Sequence, residues 1–186
     1  ATSLARSLLC LERTSGKILW SRVVLEAPFE EIHRLNSHAS STPVTDGERI
    51  FVSFLDQSEM FVAAYDFAGT ELWRTKPGGF SSKHGYCSCP VIWNGKVIIN
   101  GDHDGDAYLV ALDQKTGSQV WKTDRPNKTR SYCTPIIREI DGRNQMMLSG
   151  SLSVTSYDPD TGKQLWIIDG PTEQFVASLV YHEKHQ

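Results

Sequence analysis

Five side chains that could bind a ligand or a metal ion lie in two stretches, each shortly before a proline. His33, Asn36 and His38 belong to EAPFEEIHRLNSHAS at 26–40, and His84 and Tyr86 belong to SKHGYCSCP at 82–90. Imidazole, amide and phenol groups both donate and accept hydrogen bonds, and imidazole also ligates metals. These residues therefore predict a binding site for a small ligand, a metal ion or a protein. The alternative is that the histidines cap strands and satisfy backbone groups.

A second candidate site is the run DHDGDAY at 102–108, in which Asp102, Asp104 and Asp106 alternate around Gly105. Calcium prefers several oxygen ligands, so this spacing is typical of part of a calcium loop. The order differs from that of an EF-hand, and no bidentate glutamate follows at the required distance. The alternatives are a solvated hairpin turn and a transition-metal site that uses His103.

The four cysteines do not have zinc-finger spacing. A single residue separates Cys87 from Cys89, and Cys10 and Cys133 have no other cysteine nearby in sequence. They could be free thiols, a disulfide of Cys87 or Cys89 with Cys133, or a metal or redox group. The sequence contains neither a G-x-S-x-G nucleophile elbow nor an H-E-x-x-H motif. We therefore predict no catalytic residue in this chain.

The elements that position these residues follow from a repeat that ends in tryptophan. Four segments align: CLERTSGKILW (10–20), AYDFAGTELW (64–73), ALDQKTGSQVW (111–121) and SYDPDTGKQLW (156–166). In each, an acidic residue can bind the amides of a turn and a glycine tolerates positive φ. A strand then carries the tryptophan, and burying its ring would join neighbouring sheets. The predicted blade-docking residues are Trp20, Trp73, Trp121 and Trp166.

A second signature alternates with the first and starts at a small residue and a proline. It recurs in STPVTDGERIFVSF (41–54), SCPVIWNGKVIIN (88–100) and CTPIIREIDGRNQMMLSG (133–150). The pairs Asp46-Gly47, Asn94-Gly95 and Asp141-Gly142 predict a tight hairpin in each copy. The two signatures together give four strands per repeat, and a period of about 45 to 53 residues suits a propeller blade.

The predicted fold is therefore all-β: a β-propeller of four-stranded antiparallel blades that forms one domain over 1–186. Whole blades should cover 40–76, 87–124 and 131–169, with partial blades at 3–24 and 175–181. The histidine-bearing stretches then precede the first strand of a blade, which lines the axis of a propeller. Their polar groups should converge on one axial face, where propellers usually bind.

With its pattern A-x-D-x-x-T-G-x-x-x-W preceded by S/T-P-V-x-D-G, the chain resembles the pyrroloquinoline-quinone-type (PQQ-like) propeller repeat family over nearly its whole length. The family includes quinoprotein alcohol dehydrogenases, an outer-membrane assembly lipoprotein and sensor domains. Its dehydrogenases carry an adjacent Cys-Cys disulfide, a Glu/Asn/Asp calcium set and a catalytic aspartate. The nearest feature here is Cys87-Ser88-Cys89, whose cysteines are not adjacent.

We therefore predict a non-catalytic scaffold that presents loops to a protein or ligand, and the resemblance implies a periplasmic or extracellular setting. The alternatives are part of a PQQ-dependent oxidoreductase, which would need PQQ and calcium, and a sensor domain of a larger signalling protein. For the non-catalytic scaffold we expect no cofactor.

Composition and charge limit the classes of partner that the chain can bind. A net charge of −3 with scattered Lys and Arg argues against nucleic acid, and no apolar run is long enough to span a membrane. Strand 175–181 could pair with 3–24 and close a small ring. Otherwise open blade edges should favour self-association, which light scattering would detect as a dimer or larger species.

Overall fold

The computed structural model describes residues 4–125, 130–170, 172–177 and 179–183, and its described part consists of β-strands and connecting loops. In chain order the strands are β1 Ala5–Leu11, β2 Ile18–Glu26, β3 Val44–Thr45, β4 Arg49–Asp56, β5 Glu59–Asp66, β6 Glu71–Thr75, β7 Val91–Trp93, β8 Lys96–Gly101, β9 Tyr108–Asp113, β10 Gln119–Asp124, β11 Ile136–Ile140, β12 Arg143–Gly150, β13 Ser153–Tyr157 and β14 Gln164–Asp169.

The strands form four antiparallel sheets in which each strand pairs with its neighbour in sequence. Sheet 1 contains β1 and β2, sheet 2 contains β3–β6, sheet 3 contains β7–β10 and sheet 4 contains β11–β14. The inner strands β3 and β7 contact each other. The fold predicted from the repeat, an all-β propeller segment built of four-stranded blades, is confirmed.

The predicted hairpin turns join the first two strands of each whole sheet. Asn94 and Gly95 have φ of 41° and 74°, and Asp141 and Gly142 have φ of 50° and 74°. Positive φ at both central residues is the type I′ geometry, which matches the twist of paired strands. The turn before the repeated tryptophan also forms as its residues predict, because Asp113 Oδ1 accepts hydrogen bonds from the amides of Lys115 and Thr116.

Adjacent sheets pack face to face, and each inner sheet contributes to two cores. Because side chains alternate along a strand, Val52 and Phe54 pack with Leu8 and Val24 of sheet 1. Phe51 faces the other way. One core lies between each pair of neighbouring sheets, and that between sheets 3 and 4 includes Ile98, Leu109, Met146, Leu148 and the buried thiol of Cys133.

The repeated tryptophans contact the glycine of the next turn along the chain. The ring of Trp73 lies 2.5 Å from where a Cβ on Gly117 would be, and the ring of Trp121 lies equally close to that of Gly162. Trp73 Nε1 also donates to Gln114 O at 3.1 Å. Trp20 makes the same contact with sheet 2 through Phe67 O, at 3.0 Å. Trp166, in sheet 4, instead donates to Gln145 of its own sheet.

The segment 175–181 does not form the predicted strand in its described residues. Phe175 makes an isolated parallel bridge with Ser131, and its carbonyl accepts from Tyr132 N at 3.0 Å. Val176 and Val180 are exposed. A single strand is not stable without a partner strand beside it. The segment lies against the start of sheet 4, and its described part does not pair with sheet 1. The other blade boundaries remain predictions.

The tryptophan–glycine contact predicts the effect of Gly117→Ala. Alanine at φ +72° costs about 1–2 kcal/mol, and its methyl group would overlap the Trp73 ring, adding about 1–3 kcal/mol. Gly16→Ala is the matched control, because Gly16 has φ +71° but nothing within 4 Å of a Cβ. Urea unfolding should show a larger loss of unfolding free energy for Gly117→Ala. Equal losses would contradict a docking role for the contact.

Candidate functional site

The approaches to the first strands of three blades lie side by side. Thr42, Cys89 and Thr134 each precede the proline of a blade. Thr42 N donates to Cys89 Sγ at 3.3 Å, and Cys89 N donates to Thr134 Oγ1 at 3.0 Å. Residues 45 or more positions apart in sequence are thereby joined in one row. Any polar groups just upstream of these positions are brought to the same end of the sheets.

The long stretch at 26–40 is held against the second approach by Asn36. Its Nδ2 donates to His84 O at 2.6 Å, and its Oδ1 accepts from Ser37 N at 2.8 Å. The close approach requires glycine at position 85, where φ is +77° and a Cβ would come within 2.8 Å of Ile32. The rings of His33 and His84 consequently lie 5.1 Å apart, centroid to centroid.

A cavity of about 390 Å³ opens between these loops. The predicted residues His33, Asn36 and His84 line it together with Cys87 and with four residues that the sequence did not single out: Leu35, Tyr132, Gln174 and Val176. The Tyr132 ring stands perpendicular to that of His84 at 6.0 Å. We call this space the loop cavity. Its size falls within the range of small-ligand sites, about 300–1,000 Å³, and its wall combines aromatic and aliphatic groups with few polar atoms.

Two of the predicted binding residues are not in the loop cavity. The ring of His38 stacks on Phe29 at 4.3 Å, and its Nε2 is 2.9 Å from Glu30 O. Tyr86 is buried, with its hydroxyl 3.3 Å from Ser53 Oγ, and burial raises the pKa of the phenol above its ordinary value. His38 therefore contacts a backbone carbonyl, as the alternative interpretation that the histidines satisfy backbone groups predicts.

The four cysteines are free thiols in the structure. Burial raises the pKa of Cys87 to about 11, with a further contribution from neighbouring Cys89 and Cys133. The thiolate is the nucleophilic form of cysteine, so a raised pKa leaves Cys87 weakly reactive near neutral pH. In the loop cavity Cys87 therefore acts as a small apolar wall group.

The aspartates of 102–106 do not assemble as calcium ligands. Asp102 points into the core, where Arg125 Nε donates to it at 2.9 Å, while Asp104 pairs with Arg130 at the surface. Asp106 lines a different groove, between sheets 2 and 3. Across the described ranges, no three His, Cys, Asp or Glu side chains are grouped so that they could hold a metal. The arginine partners, distant in sequence, account for this difference from the predicted calcium loop.

The buried arginine ties sheets 3 and 4 together. Arg125 donates to Asp102 through two nitrogens and through Nη1 to Thr155 Oγ1 at 2.7 Å and Tyr157 Oη at 2.6 Å. The sequence does not indicate the ion pair of Asp102 and Arg125, because the two residues are 23 positions apart. Alternation along β13 does predict that Thr155 and Tyr157 share a face.

The buried and the exposed ion pair predict losses of unfolding free energy of different size for two similar substitutions. Asp102→Asn leaves the buried Arg125 charge without its carboxylate and should cost about 3–5 kcal/mol of unfolding free energy. Asp104→Asn removes a surface pair and should cost about 1 kcal/mol or less. Calcium at millimolar concentration should not change the unfolding midpoint of the wild type. A calcium-dependent rise that both variants abolish would restore the calcium hypothesis.

The described part of the chain contains no helix long and apolar enough to cross a membrane.

Comparison with known proteins identifies relatives of similar sequence. Methanol dehydrogenase [cytochrome c] subunit 1 of Methylorubrum extorquens is 25% identical over 168 residues, which are 81% of this chain and 27% of that protein. The chain thus spans about a quarter of the length of this curated relative.

Two solved structures share the fold at low sequence identity. Quinohemoprotein alcohol dehydrogenase from Comamonas testosteroni superposes with a TM-score of 0.62 at 15% identity, covering 90% of this chain and 32% of that one. BamB from Moraxella catarrhalis superposes with a TM-score of 0.59 at 19% identity, covering 90% of this chain and 44% of that one.

The sequence profile of one family matches residues 5–178, nearly the whole chain, and that family is described as outer membrane protein assembly factor BamB. The match includes all four tryptophan repeats and the loops that form the cavity. The chain therefore belongs to this family of PQQ-type β-propeller proteins.

Proposed function

We propose that the chain is a non-catalytic propeller scaffold that binds a protein or a small ligand through the loop cavity. The observation that carries the proposal is the cavity itself, which forms where the 26–40 stretch departs from the repeat. A wall of Leu35, Tyr132 and Val176 favours an aromatic or aliphatic group of the partner. His33 and His84 would orient that group through ring contacts and hydrogen bonds.

The proposal places the protein in the periplasm or outside the cell. Its support is the description of the matched family as an outer membrane protein assembly factor. The same description favours a protein partner over a metabolite. Self-association is a further proposal, supported by the exposed apolar residues of sheet 1, which include Leu9, Leu11 and Val23.

Part of a quinoprotein-type oxidoreductase is the second candidate, favoured by the similarity to methanol dehydrogenase. The described residues of the chain do not fit that cofactor. The described side chains provide no metal-ligand group, Cys87 and Cys89 are separated by Ser88, and neither lysine nor arginine lines the loop cavity to balance the carboxylates of the quinone. PQQ- and calcium-dependent reduction of a dye by primary alcohols would contradict the scaffold proposal.

The loop cavity predicts where an apolar probe binds. The fluorescent dye 8-anilinonaphthalene-1-sulfonate should bind in it, and Leu35→Asp should weaken that binding at least fivefold by removing apolar wall area and adding a negative charge. Leu35 is 83% exposed, so the fold should tolerate the change.

Val180→Asp is the matched control, because Val180 is 93% exposed and does not line the cavity. A fluorescence titration should give the control the affinity of the wild type. Equal affinity for both variants, or no binding by the wild type, would contradict a binding role for the loop cavity.

A further inference from the structure

The contact between a tryptophan and the turn of the next sheet is incomplete at both ends of the series of sheets. Sheets 1, 2 and 3 each place a tryptophan on the turn of the sheet that follows. Trp166 of sheet 4 has no following sheet among the described residues, and its Nε1 donates to Gln145 of its own sheet. Gly16, in the turn of sheet 1, has nothing within 4 Å of where a Cβ would be. One end therefore carries a tryptophan without a turn, and the other carries a turn without a tryptophan.

The turn of sheet 1 has the geometry of a turn that receives a tryptophan. Gly16 has a φ of 71°, and Gly117, which contacts Trp73, has a φ of 72°. The amide of Gly16 donates to Glu12 O at 2.8 Å. The amide of Gly117 donates to Asp113 O at the same distance. Because Gly16 is exposed and has no Cβ, an indole ring can lie against this turn as well.

Sheet 1 exposes apolar side chains on the face that has no neighbouring sheet. Leu8 packs against sheet 2, so alternation along β1 directs Leu9 and Leu11 to the opposite face. Val23 of β2 lies on that face too, because Val24 packs against sheet 2. The exposed fractions are 47%, 54% and 56% for Leu9, Leu11 and Val23. A sheet packed there would remove this apolar area from water.

Sheet 4 also has an apolar outer face, which surrounds its tryptophan. Trp166 pairs with Ser156, which pairs with Met147. Paired residues share a face, and the adjacent Met146 packs against sheet 3, so Trp166 faces away from sheet 3. Ile168, two residues along the strand, lies on the face of Trp166 and is 56% exposed. The outer faces of sheets 4 and 1 are therefore both apolar.

The interfaces within the chain also contain a polar contact from a hairpin to the turn of the next sheet. Asp46, the first residue of the hairpin turn of sheet 2, accepts from Gln114 in the turn of sheet 3. Asn94, the corresponding residue of sheet 3, donates to Asp160 in the turn of sheet 4 at 3.1 Å. The hairpin residue thus meets a residue one or two positions after the acidic residue of the next turn.

The same two positions carry opposite charges at the ends of the series of sheets. Asp141 is the corresponding hairpin residue of sheet 4, and Arg13 follows Glu12 in the turn of sheet 1. Both Asp141 and Arg13 are exposed. If sheet 4 of one molecule packed on sheet 1 of another as the sheets pack within the chain, the carboxylate and the guanidinium would meet.

We propose that two copies of the chain associate head to tail, so that sheet 4 of each copy packs on sheet 1 of the other. The proposal rests on the self-association included in the proposed function, and it specifies the partner and the contacts. In each interface the Trp166 ring lies on Gly16, Ile168 packs on the apolar face of sheet 1, and Asp141 pairs with Arg13. Two copies of four sheets give a ring within the typical range of about four to eight blades. A two-fold axis relates the two interfaces.

The test measures the mass of the chain by size exclusion with light scattering, at about 1 to 100 µM. The mass should rise from 20.8 kDa to twice that value. Gly16→Ala should weaken association at least about fivefold, because its methyl group would overlap the Trp166 ring of the second copy. Arg13→Asp should weaken it at least about tenfold, because both interfaces then oppose like charges. Lys115→Asp is the matched control, since it makes the same change of charge at an exposed position in the turn of sheet 3, which already contacts a tryptophan.

An exchange of charges tests the contact directly. Asp141→Arg alone should also leave the chain monomeric at concentrations where the wild type dimerises. An equal mixture of Arg13→Asp and Asp141→Arg chains should dimerise again, because one interface then has the native pair and the other has the pair exchanged. Restoration in the mixture separates a lost contact from damage to the fold of either variant.

A monomer at every concentration would overturn the proposal together with self-association. A dimer that Arg13→Asp does not weaken, a mixture that stays monomeric, or a mass that rises beyond two copies would overturn this interface. Leu35→Asp should dimerise like the wild type, because Leu35 belongs to the loop cavity. Loss of dye binding without loss of the dimer would therefore contradict the loop cavity alone.

Discussion

The contact between a tryptophan and the glycine of the following turn is the constraint on which the arrangement of sheets depends. The Trp73 ring occupies the space that a side chain at position 117 would need, and Trp121 does the same at 162. Each indole therefore requires a residue without a Cβ in the next sheet, and the positive φ of that turn requires glycine for a separate reason. Two physical demands coincide at one residue, which explains why the pair recurs together in the repeat.

Because the sheets pack face to face, the ends of their strands and the connecting loops remain available for binding. The turns that contain the tryptophan-contacting glycines lie at one end, and the approaches to the first strands lie at the other. The row formed by Thr42, Cys89 and Thr134 shows how the repeat aligns these approaches. The loop cavity opens at that second end, where residues depart from the repeat. The scaffold thus separates the positions that maintain packing from those that vary.

The repeat predicted the sheets, the hairpins and the fold because local residue types decide them. Asn94-Gly95 and Asp141-Gly142 adopt the turn that their types favour, and no distant contact is required. The sites were predicted in part. His33, Asn36 and His84 meet because the stretches that carry them both precede the first strand of a blade. Tyr132 lies in the corresponding stretch before Pro135, but its distance from the proline differs from theirs, so spacing alone does not identify it.

Other features depend on contacts that no local pattern contains. Asp102 turns inward because Arg125 on a later strand is buried beside it, and the neighbouring Asp104 turns outward to Arg130. Spacing alone could not distinguish these two aspartates. The segment 175–181 has the composition of a strand but lacks a partner strand, so its described part stays outside the sheets. Composition indicates what a segment can form, whereas pairing determines what it does form.

The packing of each sheet only against its neighbours has a consequence for how the molecule comes apart. Stability in such an arrangement is close to a sum of terms for single sheets and for the interfaces between successive ones. Sheets 2 and 3 have an interface on both faces, whereas sheet 1 is covered on one face and leaves Leu9 and Val23 exposed on the other. Amide protons should then exchange most slowly in β5 and β9, which lie inside the two sheets that are packed on both faces.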